Sequence, residues 1–215
     1  ESMKIEYFGH SCFLLTDGKT RIVTDPFAGI GYEMPQVAAD YVTLSHDHFD
    51  HNHIGGVKGV KKVFTRAGGY TAGSVRIRGI DCWHDEVQGA RRGAVVSFTF
   101  DFGGVKVCHL GDYGEKFSTE RADRFGHPDI LLVPVGGTYT VDARAAVRLI
   151  EAIAPKVVIP MHYSIPGCSL DIAPLADFEN AFGKDRIVGP VAALDSKDVD
   201  KYIGKAVVPE VLRHG

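Results

Sequence analysis

Short apolar runs, each closed by glycine, proline or aspartate, pattern the first half of the chain. Residues 4–8 read as a strand that Gly9-His10-Ser11 interrupts. Residues 12–16 resume it, and Asp17-Gly18 turns it into residues 21–24, so the chain opens as an antiparallel meander. Asp25-Pro26 ends the meander, and residues 27–40 form a loop with glycine and proline but no period. Residues 41–45 are the next strand. A short helix over 54–57 is weakened by Gly55 and Gly56. Residues 61–65 and 74–80 read as strands around a glycine-rich loop. Residues 95–102 are strongly β-prone, and Gly103-Gly104 folds them back onto 105–110.

The second half changes period. Residues 130–135 are a continuous apolar run, as in a strand buried on both faces. Thr140 is placed to cap a helix over 141–154, with Ala145, Ala146, Leu149, Ile150 and Ile153 on one side. Pro155 stops that helix, and residues 156–161 make the next strand. A second helix is expected over 173–181 and a late strand at 187–188. Hairpins first and strand–helix–strand alternation later predict an α+β, layered α/β arrangement with helices on sheet faces.

At 215 residues a single domain over 1–215 is expected, with Glu1-Ser2 before Met3 reading as a cloning remnant. A formal charge of −3 gives no general reason for a nucleic-acid partner. No run reaches the length of a membrane span, and no secretory signal pattern opens the chain. Cys12, Cys82, Cys108 and Cys168 form no C-x-x-C pair and sit in apolar sequence. They read as reduced thiols, which places the protein in the cytoplasm.

The chemistry concentrates in His46-Asp47-His48-Phe49-Asp50-His51, directly after the strand at 41–45. His46 and His48 are two apart, so on an extended segment their rings point the same way. Imidazole and carboxylate without thiolate suit zinc, iron or manganese. Further polar residues recur just past predicted strand ends: Asp25, His84, Asp112 and His162. Strand ends that meet on one sheet edge would bring them into one cleft.

Tyr7-Phe8-Gly9-His10-Ser11-Cys12, Thr24-Asp25-Pro26, the H-x-H-x-D-H run at 46–51 and His84-Asp85 resemble the metallo-β-lactamase-fold superfamily. So do His109-Leu110-Gly111-Asp112, Pro134-Val135-Gly136-Gly137 and Pro160-Met161-His162-Tyr163. Within that superfamily the chain is similar to small metal-dependent hydrolases such as the bacterial ascorbate-phosphate lactonases. The resemblance implies a four-layer αβ/βα sandwich with two divalent metal ions, zinc foremost and manganese or iron next. It places His46, His48 and His84 on one ion and Asp50, His51 and His162 on the other, with Asp112 bridging. Asp25 would orient a ligating histidine, and His10 would sit near the pocket. His53 and His109 are read as non-ligands.

The implied reaction is hydrolysis of a small ester, lactone or phosphoester by water activated between the metals, with Asp50 or Asp112 orienting it. Gly136, Gly137, Thr138 and Tyr163 are candidate substrate contacts, and the 27–40 loop and the Arg91-Arg92 pair candidate specificity elements, the arginines reading first as a solvated basic turn. The alternatives are a metal-dependent nuclease or phosphodiesterase, an iron-dependent oxidoreductase of the same fold, and a metal-dependent ligand sensor. The expected partner is a small molecule, with neither membrane nor nucleic acid; a homo-oligomer is left open.

Overall fold

The computed structural model describes residues 2–212. Two sheets face each other. The first has six strands in the order Leu194–Asp195, Lys4–Gly9, Cys12–Thr16, Arg21–Thr24, Tyr41–Thr43 and Lys62–Phe64. Its first three sequential strands are the antiparallel meander expected from the turn residues, and Tyr41–Thr43 then joins Arg21–Thr24 in parallel. The second sheet has eight strands: Ile187–Val191, Ala206–Pro209, Val157–Met161, Ile130–Pro134, Val105–His109, Ala94–Phe102, Val75–Trp83 and Gly68–Ala72. It is antiparallel from Gly68 to His109 and parallel beyond.

Side-chain alternation divides the first sheet into two buried faces. Ile5, Tyr7, Phe13, Leu15 and Ile22 join the main core with Phe98, Phe100, Val107 and Leu131 of the other sheet. Phe8, Cys12, Leu14, Val23 and Val42 face the other way, onto Phe27, Ile30, Met34 and Val57. The 27–40 loop therefore covers the outer face of the first sheet. Residues 54–57 add to that cover and include the 3-10 turn Ile54–Gly56. On the second sheet the cover is helical. Ala143–Ile153 buries Ala146, Leu149, Ile150 and Ile153, and Leu175–Phe182 buries Phe178 and Phe182. Burying a side chain of that size contributes roughly 1.5–3 kcal/mol, so these two short helices depend on packing rather than on intrinsic propensity. No helix among the described residues is long and apolar enough to cross a membrane.

The cap of Ala143–Ile153 is Asp142, which accepts from Ala145 N at 2.9 Å, and not Thr140. Val141 explains the shift. Its N–H donates to the Tyr113 carbonyl and its C=O accepts from Gly137, which commits it to a loop before any helix can start. The glycine-rich segment taken as a loop is instead the edge strand Gly68–Ala72, joined to Val75 by the two-residue turn Gly73-Ser74. Leu194–Asp195 and Ala206–Pro209 were not anticipated. Each is short and is recruited by strands distant in sequence.

Two features hold the ends of the sheets in place. At the Gly9–Ser11 corner, the His10 carbonyl accepts from Tyr7 Oη at 2.6 Å and from His162 N at 2.9 Å. The Ser11 carbonyl accepts from His109 Nε2 at 2.9 Å. Beyond the Val105–His109 strand, buried Glu115 accepts from Arg121 at 2.7 and 2.8 Å, Arg124 at 2.7 Å, Tyr113 Oη at 3.0 Å and Trp83 N at 3.0 Å. Burial alone would push the Glu115 pKa up, but the Arg121 hydrogen bonds and the Arg124 charge override it and hold it below the ordinary glutamate value.

A carboxyl whose pKa is depressed on folding stabilises the fold above its unfolded pKa, and that stability is lost as pH falls toward the folded value. Glu115→Gln is therefore expected to lower stability at pH 7 by about 2 kcal/mol. The gap to wild type should narrow below about pH 4.5. Thermal melts of both proteins from pH 7 to pH 3.5 measure it; a gap independent of pH would contradict the assignment.

Candidate metal centre

Every ligand candidate stands just past the end of a strand or at a hairpin corner. From the first sheet come His10 after Lys4–Gly9, Asp25 after Arg21–Thr24, and His46 to His51 after Tyr41–Thr43. From the second come His84 after Val75–Trp83, Asp112 after Val105–His109, and His162 after Val157–Met161. The two sheets thus contribute to one edge, as the spacing of polar residues predicts. His10, Asp25 and His162 leave their strands in the left-handed region, at φ 51°, 39° and 57°. Such backbone costs a non-glycine residue on the order of 1 kcal/mol, and here it aims three polar side chains inward.

Asp25 organises the first group. Its Oδ1 accepts from Ser45 N at 2.7 Å, and its Oδ2 from Ser45 Oγ at 2.6 Å and His51 Nδ1 at 2.8 Å. The proton directions follow from counting donors. An ionised carboxylate only accepts, so the single hydroxyl proton of Ser45 goes to Asp25. Ser45 Oγ lies 2.9 Å from His46 Nδ1, and with its own proton spent it accepts from that nitrogen. His46 and His51 therefore both carry a proton on Nδ1 and turn Nε2 toward the site. Gly111 makes room for this. A Cβ there would come within 2.5 Å of Ser45 Cβ.

Around that frame the side chains fall into three groups whose donor atoms lie within 4.8 Å of one another. They are His46 with His48 and His84; His10 with Asp50, His51 and His162; and His46 with His51 and Asp112. The third links the other two. Asp112 is 2 % exposed and approaches His51 Nε2 at 2.9 Å, His84 Nε2 at 3.1 Å, His162 Nε2 at 3.2 Å and His46 Nε2 at 3.4 Å. These are short contacts without hydrogen-bond alignment. His46 Nε2, His51 Nε2, both His162 nitrogens, Asp112 Oδ1, His84 Nδ1 and His10 Nδ1 are buried with no hydrogen-bond partner. Orphaned polar atoms at this density cost about 1–3 kcal/mol each unless something else satisfies them. A shared cation does so for nitrogens and oxygens that crowd together without pointing at one another. No cysteine joins these groups, and nitrogen and oxygen donors suit zinc as well as manganese or iron.

Electrostatics agree. Burial lowers His46 and His10 to about 3, which keeps them neutral and their lone pairs available. His51 goes the other way: burial disfavours its charge, but Asp112 and Asp25 flank it and raise its pKa. Burial would raise Asp112, yet the imidazoles of His162, His51 and His46 hold it well below the carboxylate range. Asp50 is likewise held low, its burial outweighed by the His10 hydrogen bond at 2.9 Å and by the nearby His51 imidazole.

The Beta-lactamase superfamily domain model matches residues 4–162. The chain belongs to that superfamily. A UPF0173 metal-dependent hydrolase of Thermus thermophilus is 31 % identical over 191 residues, covering 75 % of this chain and 84 % of the relative. A UPF0173 protein of Pyrococcus furiosus is 32 % identical over 184 residues, covering 75 % and 83 %. Among solved structures, a Thermotoga maritima protein named as a zinc-dependent hydrolase of the metallo-β-lactamase superfamily is 38 % identical. It superposes with a TM-score of 0.80 over 98 % of this chain and 100 % of that one. The expected fold is thereby shown, and the chain is a metal-dependent hydrolase of this superfamily.

The cleft beside these groups has a volume of about 670 Å³. It is lined by His48, Asp50, His84 and Asp112, and also by Phe49, Arg91, Arg92, Tyr139 and Leu170. The last five were not all foreseen as lining residues. Tyr139 and Leu170 reach the cleft from loops that no local pattern marks. Three expectations change. None of the lining residues comes from the 27–40 loop, which packs under the first sheet instead. Tyr163 is 4 % exposed and packs in the core beside Tyr7, so it does not face the cleft. Gly136 is a spacer: a Cβ there would lie 2.1 Å from the His162 carbonyl, and Gly137 N is already used by Val141. Gly137 and Thr138 do border an adjoining hollow that shares His84, Arg91, Arg92 and Tyr139 with the cleft. His53 is exposed and His109 is spent on Ser11, so neither joins the groups.

Ser45→Ala removes the acceptor for His46 Nδ1 while leaving Asp25–His51 intact. Zinc affinity, measured by competition with a chromophoric chelator, is expected to fall about ten-fold, and stability by about 1–2 kcal/mol because buried Asp25 loses the Ser45 Oγ donor. Unchanged affinity would show that Ser45 does not set the His46 tautomer.

Proposed function

We propose that the protein hydrolyses a small ester, lactone or phosphoester with water activated at a two-metal centre. His46, His48 and His84 would hold one ion, Asp50, His51 and His162 the other, and Asp112 would bridge them. The observation that carries this reading is the third ligand group, in which His46 and His51 from the two other groups meet Asp112. When bound, two such cations lower the pKa of a shared water toward neutrality and neutralise charge developing on a substrate oxygen. Zinc is favoured by the nitrogen-rich donor set and by the name of the Thermotoga relative.

The chain's own groups supply positioning. Asp50 is partly exposed at the cleft and already receives the His10 Nε2 proton. One oxygen is thereby fixed, which orients the carboxylate as an acceptor for the attacking water. With its pKa depressed, Asp50 steers that water by hydrogen bonding and is a poor store for its proton. His10 acts through Asp50. Asp25 and Ser45 hold the Nδ1 protons of two imidazoles in place, so His46 is ready to ligate through Nε2, while His51, its pKa raised by Asp112 and Asp25, would release its Nε2 proton on ligation. The four cysteines are all free thiols, three of them buried, which supports a reducing compartment such as the cytoplasm.

Elemental analysis of protein purified without added metal or chelator is expected to find about two zinc or manganese ions per chain. Asp112→Ala should lose metal and reduce ester or lactone hydrolysis by about a thousand-fold, equivalent to roughly 4 kcal/mol. Stoichiometric iron would redirect the reading to oxidation chemistry. Absence of metal after reconstitution would overturn the two-metal centre.

A further inference from the structure

The segment between His84 and Gly93 is wired more densely than a surface turn requires. Asp85 is buried, and its carboxylate accepts four backbone amides. Val87 N and Gly89 N donate to Oδ1 at 2.9 and 2.8 Å, and Arg91 N and Arg92 N to Oδ2 at 2.9 and 2.7 Å. Gly93 N closes back on Gly89 O, and His84 N on Gly93 O, each at 2.9 Å. The result is a rigid loop whose two consecutive arginines line the same cleft as His48, His84 and Asp112.

Those arginines are conspicuous for what they do not touch. Arg121 and Arg124 grip Glu115, and Arg76 pairs with Asp101. Arg91 and Arg92 have no carboxylate within ion-pair distance among the described residues. The Arg92 guanidinium rests only against the Tyr139 ring, at 5.4 Å. Two adjacent guanidinium groups repel each other, and a solvated turn would let them diverge into water. Here a buried carboxylate fixes the backbone at both positions, and the two exposed side chains line the cleft. Arginine presents planar paired donors suited to carboxylate and phosphate oxygens, and a preformed loop removes most of the ordering cost of binding. Phe49, 58 % exposed, and Leu170 add apolar surface to the same lining.

We propose that Arg91 and Arg92 are specificity-determining residues that bind an anionic group, carboxylate or phosphate type, on the part of the substrate away from the bond that is cleaved. The proposal rests on the hydrolase reading above and narrows it to anionic esters or lactones with a short apolar spacer. Asp85 is the positioning residue that holds the pair at the cleft.

Three aryl esters test it on the zinc-loaded protein: 4-nitrophenyl butyrate, mono(4-nitrophenyl) succinate and 4-nitrophenyl 3-phosphonopropanoate. At least one anionic ester is expected to exceed the butyrate in kcat/KM by about ten-fold, and the ratio between the two anionic esters identifies the preferred group. In Arg91→Ala/Arg92→Ala that preference should vanish through a rise in KM, with kcat and the butyrate rate within about two-fold of wild type. Added salt should erode the preference in wild type and leave the ratio of anionic to neutral ester unchanged in the double variant. A preference for the neutral ester, or an anionic preference that survives the double substitution, overturns the proposal.

Calorimetric binding of phenylphosphonate and benzoate to the metal-free protein reads the same contact without turnover. Weakening of about ten-fold in the double variant is expected. Equal binding by wild type and variant, or none by wild type, overturns the proposal even if the esters are hydrolysed. Arginine-dependent binding with no hydrolysis of any ester would instead overturn the hydrolase reading and leave the anion site standing.

Discussion

The Asp25 carboxylate is the constraint on which the site depends. It is 1 % exposed, so every lone pair it offers must be met from within the protein. Ser45 and His51 meet them, and through Ser45 the requirement passes to His46. One buried acid thereby dictates how the chain leaves the Tyr41–Thr43 strand. It sets which nitrogen of two imidazoles faces the site, and it explains why Gly111 must run beneath Ser45 without a side chain. Removing any member strands the others in a medium too dry to compensate.

The remaining architecture supplies two edges that can meet around that knot. Both sheets bury apolar side chains in a common core, and the polar residues are pushed to the ends where the strands stop. A polar cluster at such an edge is tolerable because its partners arrive from both sheets at once. The helices Ala143–Ile153 and Leu175–Phe182 close the far side of the eight-stranded sheet, while the 27–40 loop and residues 54–57 close the outer side of the other with hardly any helix. Equivalent burial is thus reached by helix packing on one side and by an apolar loop on the other.

Much of this was legible in the residues. Histidine and aspartate at strand ends stand out against apolar runs because such residues are costly there unless they serve a purpose. Their spacing in the chain was enough to gather His46, His48, Asp50, His51, His84, Asp112 and His162. Their close approach was foreseen, and so was the fold. What could not be read is what loops do after they leave the strands. Ser45 looks like any strand residue until Asp25 is seen against it. Tyr163 adjoins a ligand candidate in sequence, yet alternation along the chain sends its ring into the core. Arg91 and Arg92 look like a solvated turn unless the four amides on Asp85 are known. Thr140 fits a cap by residue type, but Val141 is already held by Tyr113 and Gly137. In each case a contact distant in sequence outweighed a local preference.

The corner at Gly9–Ser11 bears on how the molecule deforms. Carbonyls of two adjacent residues there accept donors from the facing sheet, His162 N on one and His109 Nε2 on the other. Sheets packed through apolar side chains alone can slide past each other by small rotamer adjustments, because dispersion contacts have no direction. Hydrogen bonds do have direction, and a pair on neighbouring carbonyls resists both translation and rotation at that point. His10 and His162 enter their ligand group from this corner, so the bonds that oppose sliding of the layers also hold those two side chains in register.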